Sequence, residues 1–436
     1  MNHTIWPDTA EVVAGRLVIG GCDTRELAER YGTPLYLLDA ATVRASCAAY
    51  RAAFARYPGA VRIHYASKAW LNSAIVRLIA EAGMGLDIVS GGELFIARRA
   101  GFDPAAMHLH GNAKPRAELE QALEANIGQI VVDNLDELAL LAELTAGRSA
   151  PQPIGLRLAP DVAATTHAHI QTGLANSKFG LTLSMLDAAA AILARAPGLR
   201  CHALHCHLGS QLFEQEPYAI AIGVLLDAAQ LLARRHGITI DEINSGGGLG
   251  VRYTADQPAP DLDAYAAAVC AALAAGVAAR GLPPMTLAIE PGRSIIARST
   301  VALYTIISSK RASPELPRYL HIDGGMADNI RPPLYGARYT VLHAGRAADD
   351  AEETVTISGR YCESGDILFR DVPLPQAAIG DLLAVAGCGA YTLSMASNYN
   401  GVPRPAVVQL EAGRARLVQR RESYEDLVAR DADGDD

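Results

Sequence analysis

The stretch VRIHYASKAWLNSAIVRLIAEAG (61–83) joins two periodicities. VRIHYAS (61–67) is a β-like run, and SAIVRLIAEAG (73–83) carries its apolar residues at helical spacing and stops on a glycine. Between them stands Lys68. Of the 38 lysines and arginines only four are lysine: Lys68, Lys114, Lys178 and Lys310. Where cationic surface is wanted this chain uses arginine. Lys68 therefore points to a task that guanidinium cannot do, such as acting as a nucleophilic amine.

The strand-then-helix unit recurs along the chain. GLDIVS (85–90) precedes GELFIARRAG, and AMHLHG (106–111) precedes PRAELEQALEAN, with proline at the first helical position. QIVVDN (129–134) precedes LDELALLAELTAG, and PIGLRLAP (153–160) precedes a long polar loop and LSMLDAAAAILARAPG. CHALHCHLGS (201–210) precedes YAIAIGVLLDAAQLLARRHG, ITIDEINSGGG (238–248) precedes an alanine-rich helix, and MTLAIEPG (285–292) closes the series. One helix, AATVRASCAAYRAAFARY (40–57), comes before the first strand. Strict alternation implies parallel strands with helical crossovers. Eight such units in roughly 250 residues suit a closed (β/α)8 TIM-like barrel. A doubly wound open sheet is the rival; against it, no GxGxxG opens a helix after the first strand.

After residue 295 the texture changes to β-branched runs such as STVALYTIISSK, ETVTISG and PAVVQLEAGRARLVQR, separated by Gly, Pro and Asp turns. This reads as an antiparallel β-sandwich or barrel domain, to which the strand-like N-terminal segment returns. The expected division is 35–295 for the barrel, and 1–34 with 296–436 for the β domain.

Composition narrows the function. A net charge of -9 without a basic block argues against a nucleic-acid partner. Seven cysteines, an odd count with no CxxC pair, argue for reduced thiols in a cytoplasmic compartment. MNHTIWPDTAEVV lacks a charged segment followed by an apolar core, so no signal peptide is expected. The most apolar stretch, AYAAAVCAALAAGVAA (264–279), is bounded by Asp263 and Arg280 and reads as a buried-face helix, not a membrane span. The tail DADGDD is acidic and expected to fray.

In such a barrel chemistry gathers at the C-terminal ends of the strands. The polar residues expected there are Lys68, Asp87, His110, Asn134, Arg157, His207, Gly246 to Gly248, Glu290 and Arg293. Lys68 is either a strand-end lysine snorkelling to water or an amine that condenses with a carbonyl. SGGGLG (245–250) is either a flexible turn or a cradle whose backbone N–H groups approach a phosphate. Glu290 is either an ion-pair partner or the group that keeps a heteroaromatic nitrogen protonated. His207 is either a satisfied core histidine or a ring stacked on a planar cofactor. His205 shares its face while Cys206 points away, and no second ligand cluster is apparent, so no metal is expected. An amine, a phosphate cradle, a carboxylate and a stacking ring together fit pyridoxal 5'-phosphate.

These residues carry a resemblance. YASKA, DIVSGGEL, HGNAK, THAHIQTGLANSKFG, HCHLGSQ, SGGGLG, EPGRSI, MADNIRPPLYGA, CESGD and GAYTLSMASNYN occur in order over nearly the whole chain. The chain resembles the barrel-type, alanine-racemase-like pyridoxal-phosphate decarboxylases, and among them those acting on meso-diaminopimelate. The resemblance implies that Lys68 holds the cofactor and that His207 stacks on it with Ser210 nearby. It implies that Gly247, Gly248 and Gly292 cradle the phosphate and that Glu290 faces the ring nitrogen. Arg293 and Tyr391 would also touch the cofactor. Arg293, Arg331 and Tyr335 would hold the substrate's distal carboxylate, Glu363 its distal amino group, and Tyr391 would also touch the substrate. Cys362 would be the proton donor, supplied by the partner subunit of a homodimer; read without that context it is a buried thiol. The pattern is departed from at Trp70, at Ala159, at Tyr339 (histidine is common there) and at Gly401-Val402, none of which removes a proposed catalytic group. The competing readings are a decarboxylase of carboxynorspermidine, ornithine or arginine, a racemase on the same barrel, and a silent cofactor-binding homologue. The last should have lost Lys68 or Cys362, and both are present.

Overall fold

The computed structural model describes residues 1–160 and 178–432. All but the last three residues of THAHIQTGLANSKFG (166–180), and all but the start of the DADGDD tail, lie outside the described residues. The chain divides into two compact units: Met1–Ala45 with Val251–Ala259 and the residues from Ile295 on, and Ser46–Gly250 with Pro260–Ser294.

In the second of these, eight strands close a barrel. They are Val61–Ala66, Gly85–Ile88, Met107–Leu109, Gln129–Val132, Gln152–Arg157, Leu199–His205, Glu242–Asn244 and Thr286–Ile289. All neighbours are parallel, and the last strand pairs with the first. Helices follow the strands, as the alternation predicts, and the last strand is followed only by the four-residue helix Arg293–Ile296. Several begin on a side chain that accepts a first-turn N–H: Asn72, Ser90, Asn134 and Asp261. The two longest stop on left-handed Gly237 and Gly281. Those two, Glu216–His236 and Leu262–Arg280, are long and apolar enough to cross a membrane by length and composition alone. Here they are barrel crossovers that pack on each other, and the second buries the face Tyr265, Ala266, Val269, Cys270 and Leu273.

The barrel interior is more polar than the apolar reading of the strands suggests. Arg62, His64 and Ala66 alternate with the outward residues Ile63 and Tyr65. Arg62 pairs with the buried Glu242 at 3.0 Å, and the rings of His64 and His108 lie 3.7 Å apart. Burial drives the His64 imidazole down to about 4, so this ring pair packs as neutral aromatic surface.

In the other unit a nine-stranded sheet runs through Thr300–Lys310, which pairs antiparallel with Leu35–Asp39, Arg318–Ile322 and Leu382–Val385. Most pairings are antiparallel, but Leu35–Asp39 with Ala406–Glu411 and Arg318–Ile322 with Glu353–Ser358 are parallel. The N-terminal segment does return to this sheet. Its strand Leu35–Asp39 belongs there and not to the barrel, which moves the boundary expected at residue 35. All five of its residues are buried, so its continuous apolar run reads the same in a barrel or in a central sheet strand. A second difference is Thr24–Tyr31, which lies in a stretch read as strand-like and is a helix capped by Asp23. The sheet packs Leu35, Leu37, Val301, Leu303, Ala384 and Val408 against Leu17, Ile19 and Trp6.

Gly85 marks how tightly the barrel interior is filled. A Cβ there would stand 2.2 Å from His64 Cδ2 and 2.7 Å from the Ala106 carbonyl. Gly85→Ala is expected to lower stability by about 1–3 kcal/mol, seen as a lower urea midpoint. Adding His64→Ala should recover only part of this, because the carbonyl stays.

Candidate active site

The first barrel strand ends in a single 3-10 turn, Ser67–Ala69, that carries Lys68. From its amine a line of side chains runs along the rim. Lys68 Nζ is 3.9 Å from Asp87 Oδ2, Asp87 Oδ1 is 3.8 Å from His110 Nε2, and His110 Nε2 is 3.0 Å from Glu290 Oε1. The far side of Glu290 is closed by Asn244, whose Nδ2 donates to Oε1 at 2.7 Å, and by His205 Nε2, 3.2 Å from Oε2. Each comes from the end of a different barrel strand, which is why residues so far apart in sequence meet.

Electrostatics separate the two carboxyls. Asp87 is fully buried and neither oxygen has a hydrogen bond among the described residues. Burial pushes it up to about 6, against the pull of His110 and Lys68. Burial also works to raise Glu290, yet the imidazoles of His110 and His205 outweigh it and hold this carboxyl well below the usual range. Glu290 is thus an anion with donors on both oxygens. Sequence reasoning placed His110 on the rim without a role, and it missed His205 and Asn244 as partners of Glu290. It also found no second cluster to join His205, whereas His110, His205 and Glu290 each bring one ligand-capable atom within 4.8 Å of the others. No local spacing announces this, because the three lie on three strands.

The glycine turn is as constrained as its reading as a cradle requires. A Cβ on Gly247 would lie 2.1 Å from the Glu290 carbonyl oxygen, and one on Gly248 would lie 2.5 Å from the Gly209 carbonyl. Gly246 and Gly248 have φ of +69° and +120°. The Glu290 N–H donates to the Gly246 carbonyl at 2.9 Å. Gly292 would place a Cβ 2.9 Å from that of Ala66, and Ala66 N–H donates to the Pro291 carbonyl at 3.0 Å. The loops after strands seven and eight are thus locked to each other and to the strand that leads to Lys68.

His207 accepts the Gly247 N–H on Nδ1 at 3.3 Å, which puts its ring hydrogen on Nε2. Burial holds its pKa well below the ordinary value, so the ring is neutral and flat. Arg293 forks onto Ser210 Oγ through Nε at 3.1 Å and Nη2 at 3.0 Å. Two rim residues turn out structural. Asn134 caps the next helix, and Arg157 stacks on Phe179 with its guanidinium carbon 4.3 Å from the ring centroid. Lys114 donates to the Gly111 and Val131 carbonyls and to Glu137 at 2.7–2.8 Å, tying two barrel loops together.

The remaining sequence candidates lie in the other unit. Arg331 is buried, its guanidinium held by the Tyr339 hydroxyl and lying over the rings of Tyr253 and Tyr339. Among the described residues no carboxylate comes within ion-pair distance of it. A buried cation without a counter-charge is costly. Tyr335, half-buried, ends the short helix Arg331–Tyr335. Cys362 is exposed, which removes the buried-thiol reading, and Glu363 beside it is exposed too. Their loop is anchored by buried Asp366, which accepts the N–H groups of Met326 and Tyr361. Tyr391 holds φ at +58°, a conformation that costs a non-glycine residue energy and clusters at functional sites.

The barrel groups fit pyridoxal phosphate. The chain supplies an amine, a turn of glycines with no room for Cβ atoms, and a buried anion fit to hold a proton on a ring nitrogen. Comparison with known proteins agrees. Residues 40–297 match the family described as pyridoxal-dependent decarboxylase, pyridoxal binding domain. The diaminopimelate decarboxylase of Synechocystis is 41% identical over 99% of this chain and 93% of its own, and that of Bacillus subtilis is 42% identical over 96% and 95%. The crystal structure of diaminopimelate decarboxylase from M. jannaschii with L-lysine superposes with a TM-score of 0.91 at 34% identity, over 98% of each chain. With relatives of this identity along its whole length, the chain belongs to the diaminopimelate decarboxylase family of pyridoxal-dependent decarboxylases.

Proposed function

We propose that this enzyme removes one carboxylate from meso-2,6-diaminopimelate to give L-lysine and carbon dioxide, the last step of lysine formation. The observation that carries the chemistry is the ionised Glu290, clamped by Asn244, His110 and His205 on the rim that bears Lys68.

Lys68 would hold the cofactor aldehyde, the N–H groups of the Gly246–Gly248 turn and of Gly292 its phosphate, and the His207 ring its face. Ser210 and Arg293 line the same loops. Pyridoxal phosphate, when bound, supplies an electron sink for the pair left behind as carbon dioxide departs. Glu290, as an anion, keeps a proton on the ring nitrogen so that the sink stays deep. The neutral His207 stacks without adding charge. Carbon must then regain a proton, and a thiol suits that step; Cys362 is our choice of donor.

For the substrate's far end the roles are carried over from the family resemblance. Arg331 has support of its own, since its buried charge meets no carboxylate among the described residues. A forked guanidinium pairs with a carboxylate, so substrates ending in a bare ammonium, such as ornithine, fit it poorly. Arg293, Tyr335 and Tyr391 would assist, and Glu363 would meet the distal ammonium. We further propose a homodimer in which Cys362 serves the partner's site. The seven free cysteines suit a reducing compartment.

Carbon dioxide release from a panel of meso-diaminopimelate, lysine, ornithine, arginine and carboxynorspermidine tests the substrate. Release from the first alone is expected, and release from ornithine instead would overturn the assignment. Lys68→Ala should abolish turnover, and borohydride should fix the cofactor to the Lys68 peptide of the unaltered protein. Cys362→Ala should slow turnover by about 10²-fold or more with cofactor affinity unchanged. Mixing these two inactive variants should restore about a quarter of the activity if sites are shared across a two-fold dimer; no recovery would mean that each subunit works alone.

A further inference from the structure

The surroundings of Arg331 contain more than a cation. Tyr339 is 6% exposed, as is Arg331, and its ring is fixed by edge contacts with Tyr253 (centroids 5.1 Å apart) and Phe369 (5.8 Å). The segment carrying Tyr253 is tied down by Thr340, whose hydroxyl donates to the Tyr253 carbonyl at 2.8 Å. The guanidinium carbon of Arg331 lies 4.9 Å from the Tyr253 ring centroid and 5.6 Å from that of Tyr339. Arg331 Nη1 donates to the Tyr339 oxygen. Burial raises the Tyr339 pKa, so the phenol keeps its proton.

The hydrogen-bond inventory of a phenol then leads to a definite conclusion. Its oxygen is accepting from Arg331, so its own O–H must point elsewhere. Among the described residues nothing accepts that hydrogen. A buried donor without an acceptor costs free energy, and so does a buried cation without an anion. Here both stand at one place, and a single carboxylate would satisfy both.

We propose that Tyr339 is a substrate-binding and specificity residue, donating its hydroxyl hydrogen to the same distal carboxylate that Arg331 binds. This rests on the substrate reading above and extends it to a residue that reading leaves without a role. A phenol is a neutral donor at every working pH. An imidazole there would lose or gain charge near neutrality and compete with the guanidinium for the anion.

The test uses the cofactor-loaded enzyme and two ligands that differ in one group. L-Lysine, the product, keeps the distal carboxylate; cadaverine lacks it. By calorimetry, Tyr339→Phe, which removes only the hydroxyl, should weaken L-lysine binding about ten-fold or more and leave cadaverine binding unchanged. In turnover the KM for meso-diaminopimelate should rise in proportion, with kcat within about two-fold. Tyr339→His, which restores an N–H donor, should fall between the two. Wild-type L-lysine affinity in Tyr339→Phe, with cadaverine still the weaker ligand, would overturn this proposal alone. Equal affinity of the unaltered enzyme for L-lysine and cadaverine would instead overturn the substrate reading beneath it.

Discussion

A buried carboxylate keeps its charge only where donors converge on both of its oxygens, and Glu290 is the point on which the barrel unit turns. Water has been exchanged for Asn244, His110 and His205, each fixed by its own strand. Removing any one strand from register would leave a buried anion short of a donor, at a cost of several kcal/mol. The same closure that aligns these strands is therefore what makes the carboxylate useful. Asp87 offers the contrast. It is equally buried, has no hydrogen bond among the described residues, and is pushed up to about 6. Two carboxyls on one rim are thus set to opposite tendencies by their neighbours, the pattern by which one site holds both a fixed anion and a group that can change charge.

The glycines complete the same constraint from the backbone side. Gly247 lies against the carbonyl of Glu290 itself, so the turn that would cradle a phosphate and the residue that would face the ring nitrogen cannot move independently. Gly292 repeats this against Ala66, one turn from Lys68. A planar cofactor with a phosphate at one end and an aldehyde at the other needs those distances held together, and close backbone contact holds them more stiffly than side chains would.

Much of this was legible in the chain. The alternation of eight apolar strands with helices between them marks the barrel, and the strand ends expose Lys68, Asp87, His110, His207, the glycine turn and Glu290. What escaped did so for physical reasons. Leu35–Asp39 is buried throughout, and a continuous apolar run carries no sign of which sheet it joins. Thr24–Tyr31 is a two-turn helix, too short for periodicity to outweigh the β-like residues around it. The interior pairs Arg62–Glu242 and His64–His108, like the partners of Glu290, are contacts between strands, and single-chain spacing does not encode them.

Lysine scarcity, which first drew attention to residue 68, is instructive because it is insufficient. Lys114 is just as rare and also stands in a loop beyond a barrel strand. Its amine is wholly spent, on two carbonyls and the Glu137 carboxylate, and it clamps the loops on either side. Lys68 differs in its setting: its side chain is 37% exposed and faces Asp87 at 3.9 Å, beyond hydrogen-bond reach. An amine with three short acceptors cannot leave them without exposing buried polar groups, whereas one that solvent reaches can be approached by a carbonyl. What distinguishes the catalytic candidate from the structural lysine is therefore its exposure and its place beside Asp87 on the rim, not the rarity of the residue. The same reasoning separates Arg331 from the surface arginines. Arg25, Arg116 and Arg346 meet carboxylates, while Arg331 is buried with aromatic rings and a phenol and, among the described residues, no counter-charge.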